Sequence, residues 1–406
     1  MRKHARRQHE RAWTDQCVSA VNACWGRGSG VDCATSRPGS VTNVLDGIHR
    51  AVLDMGKPPC DLTPEGAYRK LLGGSSAYSS VRPDLATFSL DAVSWPEVGG
   101  SHCDVCSLLP DGDSMRLSNW RDSMLRDPIE SAELQKEQGL SRAYCDPELL
   151  RSPQVYGRFL QEMHRRGLCD FEASTGDDAS LGIFFVKKKD GKQRIIFDTR
   201  KINCDFVSPE SVALPTSGSL GGIEVDAGET LFMATCDVST AFYRMLIPES
   251  LRARFTLPHV EARFLGTAAG DKKGLLVPRL CVLPMGWSWS LRYCQLIVES
   301  FVKAEMGEDR AIKDGEAFTR ISKGNDAGAA YVDNVLVFST CRRTADRRLQ
   351  RIAEVLTSAG LLVHEVNMAS SQMSFLGLEL SHNKLRVSPE RAWRVRLALE
   401  FAMNKR

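Results

Sequence analysis

The run Tyr331-Val332-Asp333-Asn334 has the residue types and the setting to do chemistry. It stands between two apolar runs, Ala329-Ala330-Tyr331-Val332 and Val335-Leu336-Val337-Phe338, which read as paired strands. Asp333-Asn334 then occupies the two-residue turn. A carboxylate at the tip of a rigid hairpin is suited to fixing a metal ion, and Mg²⁺ takes such hard oxygen ligands. Asp and Asn also favour tight turns because they tolerate left-handed backbone angles, so the hairpin by itself is equally ordinary turn chemistry. Asn334 puts an amide where a second carboxylate would make metal binding plain.

Stepping outward, a second carboxylate, Asp237, ends an apolar run from Leu231 to Thr235 that reads as a buried strand. Positive charge gathers in Lys187-Lys188-Lys189-Asp190-Gly191-Lys192-Gln193, between Ile183-Phe184-Phe185-Val186 and Arg194-Ile195-Ile196-Phe197. That pattern predicts a hairpin with an Asp-Gly turn, and lysines flanking such a turn are ordinarily solvated. Tyr156, Phe159, Leu160, Met163 and Leu168 form a helical stripe, as do Leu291, Cys294, Val298 and Phe301. Arg347 to Leu356 suggests a helix stopped at Gly360, and Phe375 to Leu380 a strand. Ser388-Pro389-Glu390 has the form of a helix start. The helix it opens carries Arg391, Arg394, Arg396, Lys405 and Arg406, a solvated face or a phosphate-contacting one. Helices interspersed with antiparallel hairpins predict an α+β domain.

At 406 residues there is material for two or three domains with hydrophobic cores. Apolar content of 43% and charged content of 25% suit a globular chain. A net charge of +3 leaves nucleic-acid affinity to local clusters. No apolar stretch has membrane-spanning length. The basic Met1-Arg2-Lys3-His4-Ala5-Arg6-Arg7 lacks the apolar core of a secretory signal and reads as a solvated tail or a nuclear address. The expected location is therefore intracellular, nucleus or cytoplasm, with no secretion. Thirteen scattered cysteines, an odd number, argue for reduced thiols. His102-Cys103-Asp104-Val105-Cys106 has half the spacing of a zinc site, and no second close pair follows, with Cys60, Cys145 and Cys169 only loose partners. Residues 1–145, broken by Gly-Ser stretches and prolines, hold no constellation of their own.

Taken in order, the motifs resemble those of retroviral and retrotransposon reverse transcriptases. Phe185 to Arg194 resembles the fingertip hairpin, and Asp237-Val238-Ser239-Thr240-Ala241-Phe242-Tyr243 the first palm motif. Leu283-Pro284-Met285-Gly286-Trp287-Ser288 is similar to the second, Tyr331-Val332-Asp333-Asn334 to the third, and Phe375-Leu376-Gly377-Leu378 to the primer-grip strand. Five motifs in order over roughly 200 residues are far more specific than any one of them. The resemblance covers about 150 to 390.

It implies a right-hand polymerase, with fingers and an antiparallel palm sheet over 146–380 and the start of a truncated thumb over 381–406. An irregular, mostly helical region precedes them over 1–145. It implies template-directed DNA synthesis from dNTPs on an RNA or DNA template with a primer, by a two-metal mechanism using Mg²⁺, or alternatively Mn²⁺. Asp237, the Val238 carbonyl, Asp333 and Asn334 would hold the metals. Lys188 and Arg194 would grip the triphosphate. Phe242 would be the ring that excludes a ribose 2′-hydroxyl, and Met285, Gly286 and Tyr331 would line the nucleotide site.

This chain departs from the family at three positions. Met285 stands where many relatives carry Gln, Thr240 replaces a common acidic residue, and Asn334 removes a formal charge from the metal site. Polymerases of negative-strand RNA viruses resemble it in using an Asp-Asn pair there, so catalysis is not forbidden. The lysine that relatives place after the third motif has only His364 as a stand-in. The resemblance extends to no RNase H or integrase motif within these 406 residues. Two alternatives stand: a catalytically inactive nucleic-acid-binding remnant, and an RNA-dependent RNA polymerase, which the bulk of Phe242 opposes.

Overall fold

The computed structural model describes residue 63 and residues 65–67, 85–174, 176, 180–188, 190–315, 319–381 and 384–404. The basic N-terminal run, Cys60, the Gly-Ser break at 73–76, Lys189, Lys405 and Arg406 lie outside them. Helices and small, mostly antiparallel sheets alternate along the chain, an α+β arrangement. Two compact units form, one from residues 73–388 and one from 1–72 with 389–406. In the smaller unit the helix Pro389–Asn404 buries Trp393, Leu397 and Ala398 with Ala67. Among the described residues no helix is long and apolar enough to cross a membrane.

The centre of the larger unit is a four-stranded sheet in the order Ala327–Tyr331, Asn334–Ser339, Phe232–Val238, Val363–Ser370. Its middle strands are apolar on both faces because both faces are covered. Val335 and Val337, with Ala234, Cys236 and Val238, turn into the main core. The alternate residues Leu336, Phe338 and Met233 turn into a second core shared with Phe375, Leu378 and Leu380. The helices Ser288–Met306 and Arg342–Ser358 pack against the sheet and each other. The small residues of Ala327-Gly328-Ala329-Ala330 admit the first of these helices. A Cβ on Gly328 would come within 2.7 Å of Val302 Cγ1.

The basic hairpin pairs Gly182–Lys187 with Gln193–Asp198, and Val186 faces Arg194. The short strand Leu85–Ala86 adds to its edge opposite Phe185 and Val186. Phe185, Phe88, Phe159 and Trp95 interlock beneath it with ring centroids 4.8–5.8 Å apart. Residues 85–145 thus belong to the same unit as the motifs downstream of them.

Two expectations change. The sheet pairs Tyr331 with Asn334, so the turn residues are Val332 and Asp333, one position earlier than the residue types suggested. The strand expected over Phe375 to Leu380 is instead a hairpin, Gln372–Phe375 with Leu378–Ser381, closed at Leu376-Gly377 with both turn residues at positive φ. Positive φ is incompatible with a continuous strand.

Candidate active site

The site forms where the strand Phe232–Val238 ends beside the hairpin turn. Asp237 faces Asn334 across one neighbouring strand and His364 across the other. Directly opposed residues in antiparallel strands project to the same side, so the three side chains share one face. The Val238 N–H donates to the Asp333 carbonyl at 2.8 Å, tying the strand end to the turn. Residues 96 apart in the chain (333 − 237) are thereby made neighbours.

The turn itself is strained and buttressed. Val332 has φ 58°, in the left-handed region that a β-branched residue rarely enters, at a cost of about 1–3 kcal/mol. Its side chain is fully buried, which holds it there. Gln295, a fully buried polar residue on the helix Ser288–Met306, accepts from the Val332 N–H at 2.7 Å and donates to the Ala330 carbonyl at 3.0 Å. It also donates to Glu299, whose carboxylate pairs with Lys313 and Lys303. Sequence reasoning passed over Gln295. Its signal was an uncharged polar residue beside Cys294 on an otherwise apolar helical stripe.

Electrostatics couples the two carboxylates. Burial, and then the proximity of Asp333, push Asp237 up to about 7, partly opposed by His364. Its Oδ1 is buried with no hydrogen-bond partner. Asp333 is also raised by burial, against the pull of its own backbone N–H, the Asn334 amide and the charges of Arg194 and His364. Asn334 Nδ2 donates to Asp333 Oδ1 at 2.9 Å. His364 Nδ1 lies 3.2 Å from the Asp237 carbonyl and 3.9 Å from its Oδ2, and Nε2 is 3.7 Å from Glu365. Asp237, His364 and Glu365 each offer a ligand atom within 4.8 Å of the others.

These residues suit a divalent cation. An orphaned carboxylate oxygen and two carboxylates that disfavour each other's ionisation are what a cation relieves. Asn334 turns its amide hydrogen toward Asp333, and His364 with Glu365 flank Asp237 on the far strand. Val238 is buried at the strand end.

The remaining expected residues distribute as follows. Arg194 lies near enough to act on both Asp333 and Tyr243, and the Tyr243 hydroxyl donates to the Ile195 carbonyl at 3.2 Å. The basic hairpin and the Asp237 strand are so joined. Lys188, at the hairpin turn, donates to Ser94 Oγ at 3.1 Å and pairs with Asp190 at 3.5 Å. Phe242 is only 4% exposed, in a short 3₁₀ turn entered through Thr240 at φ 51°. Tyr331 is half-buried between the two cores. Met285 packs against the main core. Gly286 has φ 114°, and a Cβ there would sit 2.9 Å from Thr199 Oγ1, so backbone angle and packing both favour glycine. Asn203 locks that loop by donating to the Gly286 carbonyl and accepting from the Ser288 N–H, each at 3.0 Å.

Among the described residues, the half-zinc run His102–Cys106 contributes to no group of three metal-ligating side chains. Cys103 Sγ donates to the Arg244 carbonyl, and burial pushes its thiol up to about 12 and that of Cys106 upward. Protonated, buried thiols are poor ligands. Neither protein-family models nor curated proteins yield a match to this chain.

Proposed function

We propose that residues about 146 to 380 are the fingers and palm of a retroelement-type reverse transcriptase. The reaction is template-directed addition of deoxynucleotides to a primer 3′-hydroxyl. The hydroxyl oxygen bonds to the α-phosphorus as its proton passes to solvent water, the bond from that phosphorus to the oxygen bridging it to the β-phosphorus breaks, and pyrophosphate departs. The observation that carries this reading is the convergence of Asp237 with Asp333 at adjacent strand and turn tips, with Arg194 within electrostatic reach. Divalent cations, when bound, would activate the hydroxyl and neutralise the triphosphate. Asp237 and Asp333 would bind them, and Lys188 and Arg194 would orient the phosphates. The buried Phe242 ring would close off space beneath the sugar.

One observation favours the reading of an inactive nucleic-acid-binding remnant. Asn334 spends its amide hydrogen on Asp333 and adds no charge, which weakens the field for a cation. Primer extension on an RNA template separates the readings, with Mg²⁺ or Mn²⁺ and with dNTPs or NTPs in parallel. Extension by the wild type with dNTPs is the expected result. Rescue only by Asn334→Asp assigns an inactive scaffold, and failure of both sinks the polymerase reading. Extension with NTPs would assign an RNA polymerase.

A further inference from the structure

Resting on the polymerase reading, we infer that the upstream segment 85–96 is part of the nucleotide site, and that Ser94 is the positioning residue that presents Lys188 to the incoming triphosphate. The segment is stitched to the basic hairpin through one buried side chain. Gln193 donates from Nε2 to the Thr87 carbonyl at 2.6 Å and accepts at Oε1 from the Ser89 N–H at 3.1 Å. The Ser94 N–H then donates to the Gln193 carbonyl at 2.7 Å. Val93 bridges to the same residue, in parallel. Below, Phe88 and Trp95 enter the aromatic cluster of Phe159 and Phe185, and Arg166 bonds the Pro96 carbonyl at 2.8 Å while stacking on Trp95.

This anchoring fixes the Ser94 hydroxyl, which receives one N–H of Lys188 at 3.1 Å. An ammonium carries three donors on a flexible four-carbon stem, and its reach toward a phosphate is normally diluted among many rotamers. Ser94 on one side and the Asp190 carboxylate at 3.5 Å on the other confine that stem. One N–H is left for the ligand. Asp190 is exposed and its contact is screened, so Ser94, half-buried and backbone-anchored, does the larger part of the positioning. Gln193, by fixing Ser94, acts one step further back. Residues upstream of 146 thereby acquire a stated role in the same site.

The test is dNTP binding to the complex with template and a primer lacking its 3′-hydroxyl, alongside steady-state extension with an ordinary primer. Ser94→Ala is expected to raise the dNTP Kd and KM by about threefold to tenfold, the cost of freeing one immobilised side chain. The kcat at saturating dNTP and the affinity for template–primer should stay within about twofold of wild type, a margin inside the scatter of a surface change. Ser94→Thr, which keeps the hydroxyl, should restore the Kd. In a Lys188→Ala background, Ser94→Ala should add nothing further. Unchanged dNTP Kd in Ser94→Ala, while Lys188→Ala weakens binding, overturns the inference and leaves the polymerase reading standing. No dNTP binding by the wild-type complex overturns that reading and this inference with it.

Discussion

Asn334 donates its side-chain amide to Asp333 Oδ1 at 2.9 Å, so the residue in place of a second carboxylate stabilises the first one instead of adding charge beside it. The turn is held beside the Asp237 strand by the Val238 N–H to Asp333 carbonyl bond, and Asn334 adds no charge to the field there. Asn334→Asp should reverse both effects. The metal-free protein should lose about 1–2 °C in Tm, as expected for roughly 1 kcal/mol in a unit of this size. Mn²⁺ should restore Tm, and the Mn²⁺ concentration at half-maximal effect should fall at least about tenfold, one added charge contact near 1.4 kcal/mol. Differential scanning fluorimetry across a Mn²⁺ titration reads both. A variant more stable than wild type without metal would contradict the assigned hydrogen bond.

The Asp237 carboxyl supplies a pH signature. Its folded value of about 7 lies above the ordinary 3.8, so between these values the folded state holds a proton that the unfolded chain has released. Its contribution to stability is full below pH 4 and is lost as pH rises through 7. Asp333, raised for the same reason, acts in the same sense. Comparing urea midpoints at pH 5 and pH 8, wild type should lose more stability than Asp237→Asn, which has no proton to release. Saturating divalent cation should abolish that difference. Equal pH slopes in the two proteins would remove the coupling.

Gln295 holds the strained turn from a distance of 37 residues in the chain (332 − 295). Gln295→Ala leaves the Val332 N–H and the Ala330 carbonyl buried without partners, costing about 2–4 kcal/mol of stability. Denaturant unfolding measures the loss. Activity at a temperature where the variant remains folded should also fall, because the left-handed Val332 then has less to fix it and Asp333 moves with it.

Phe242 separates packing from sugar selection. Phe242→Val should lower the ratio of kcat/KM for dNTP over NTP by about tenfold or more, the scale of one pocket contact of 1–3 kcal/mol. Equal loss with both nucleotide types would assign the ring to packing alone, consistent with its 4% exposure.

The local parts of this molecule were legible in the sequence. The Asp190-Gly191 turn, the apolar strand leading to Asp237 and the stripe Leu291, Cys294, Val298, Phe301 are specified by neighbours a few residues away. Strand alternation and helical periodicity report such neighbours directly. The α+β character followed from the same signals.

Tertiary structure decided the rest, because the forces concerned act between distant residues. Residue preference placed Asp333-Asn334 at the turn. The buried Val332 side chain and the bond from the Val332 backbone N–H to Gln295 instead draw Val332-Asp333 into that position, overriding the local preference by contacts from a helix. The orphaned oxygen and raised pKa of Asp237 arise only once burial and Asp333 meet at the strand tip. His364 became a flanking residue through strand pairing, not spacing. Ser94 carries no motif at all, and the hairpin it serves lies nearly a hundred residues further along the chain. The two apolar runs flanking it determined that a hairpin would carry Asp333. Which groups surround that carboxylate, and therefore what it can bind, was settled by the fold.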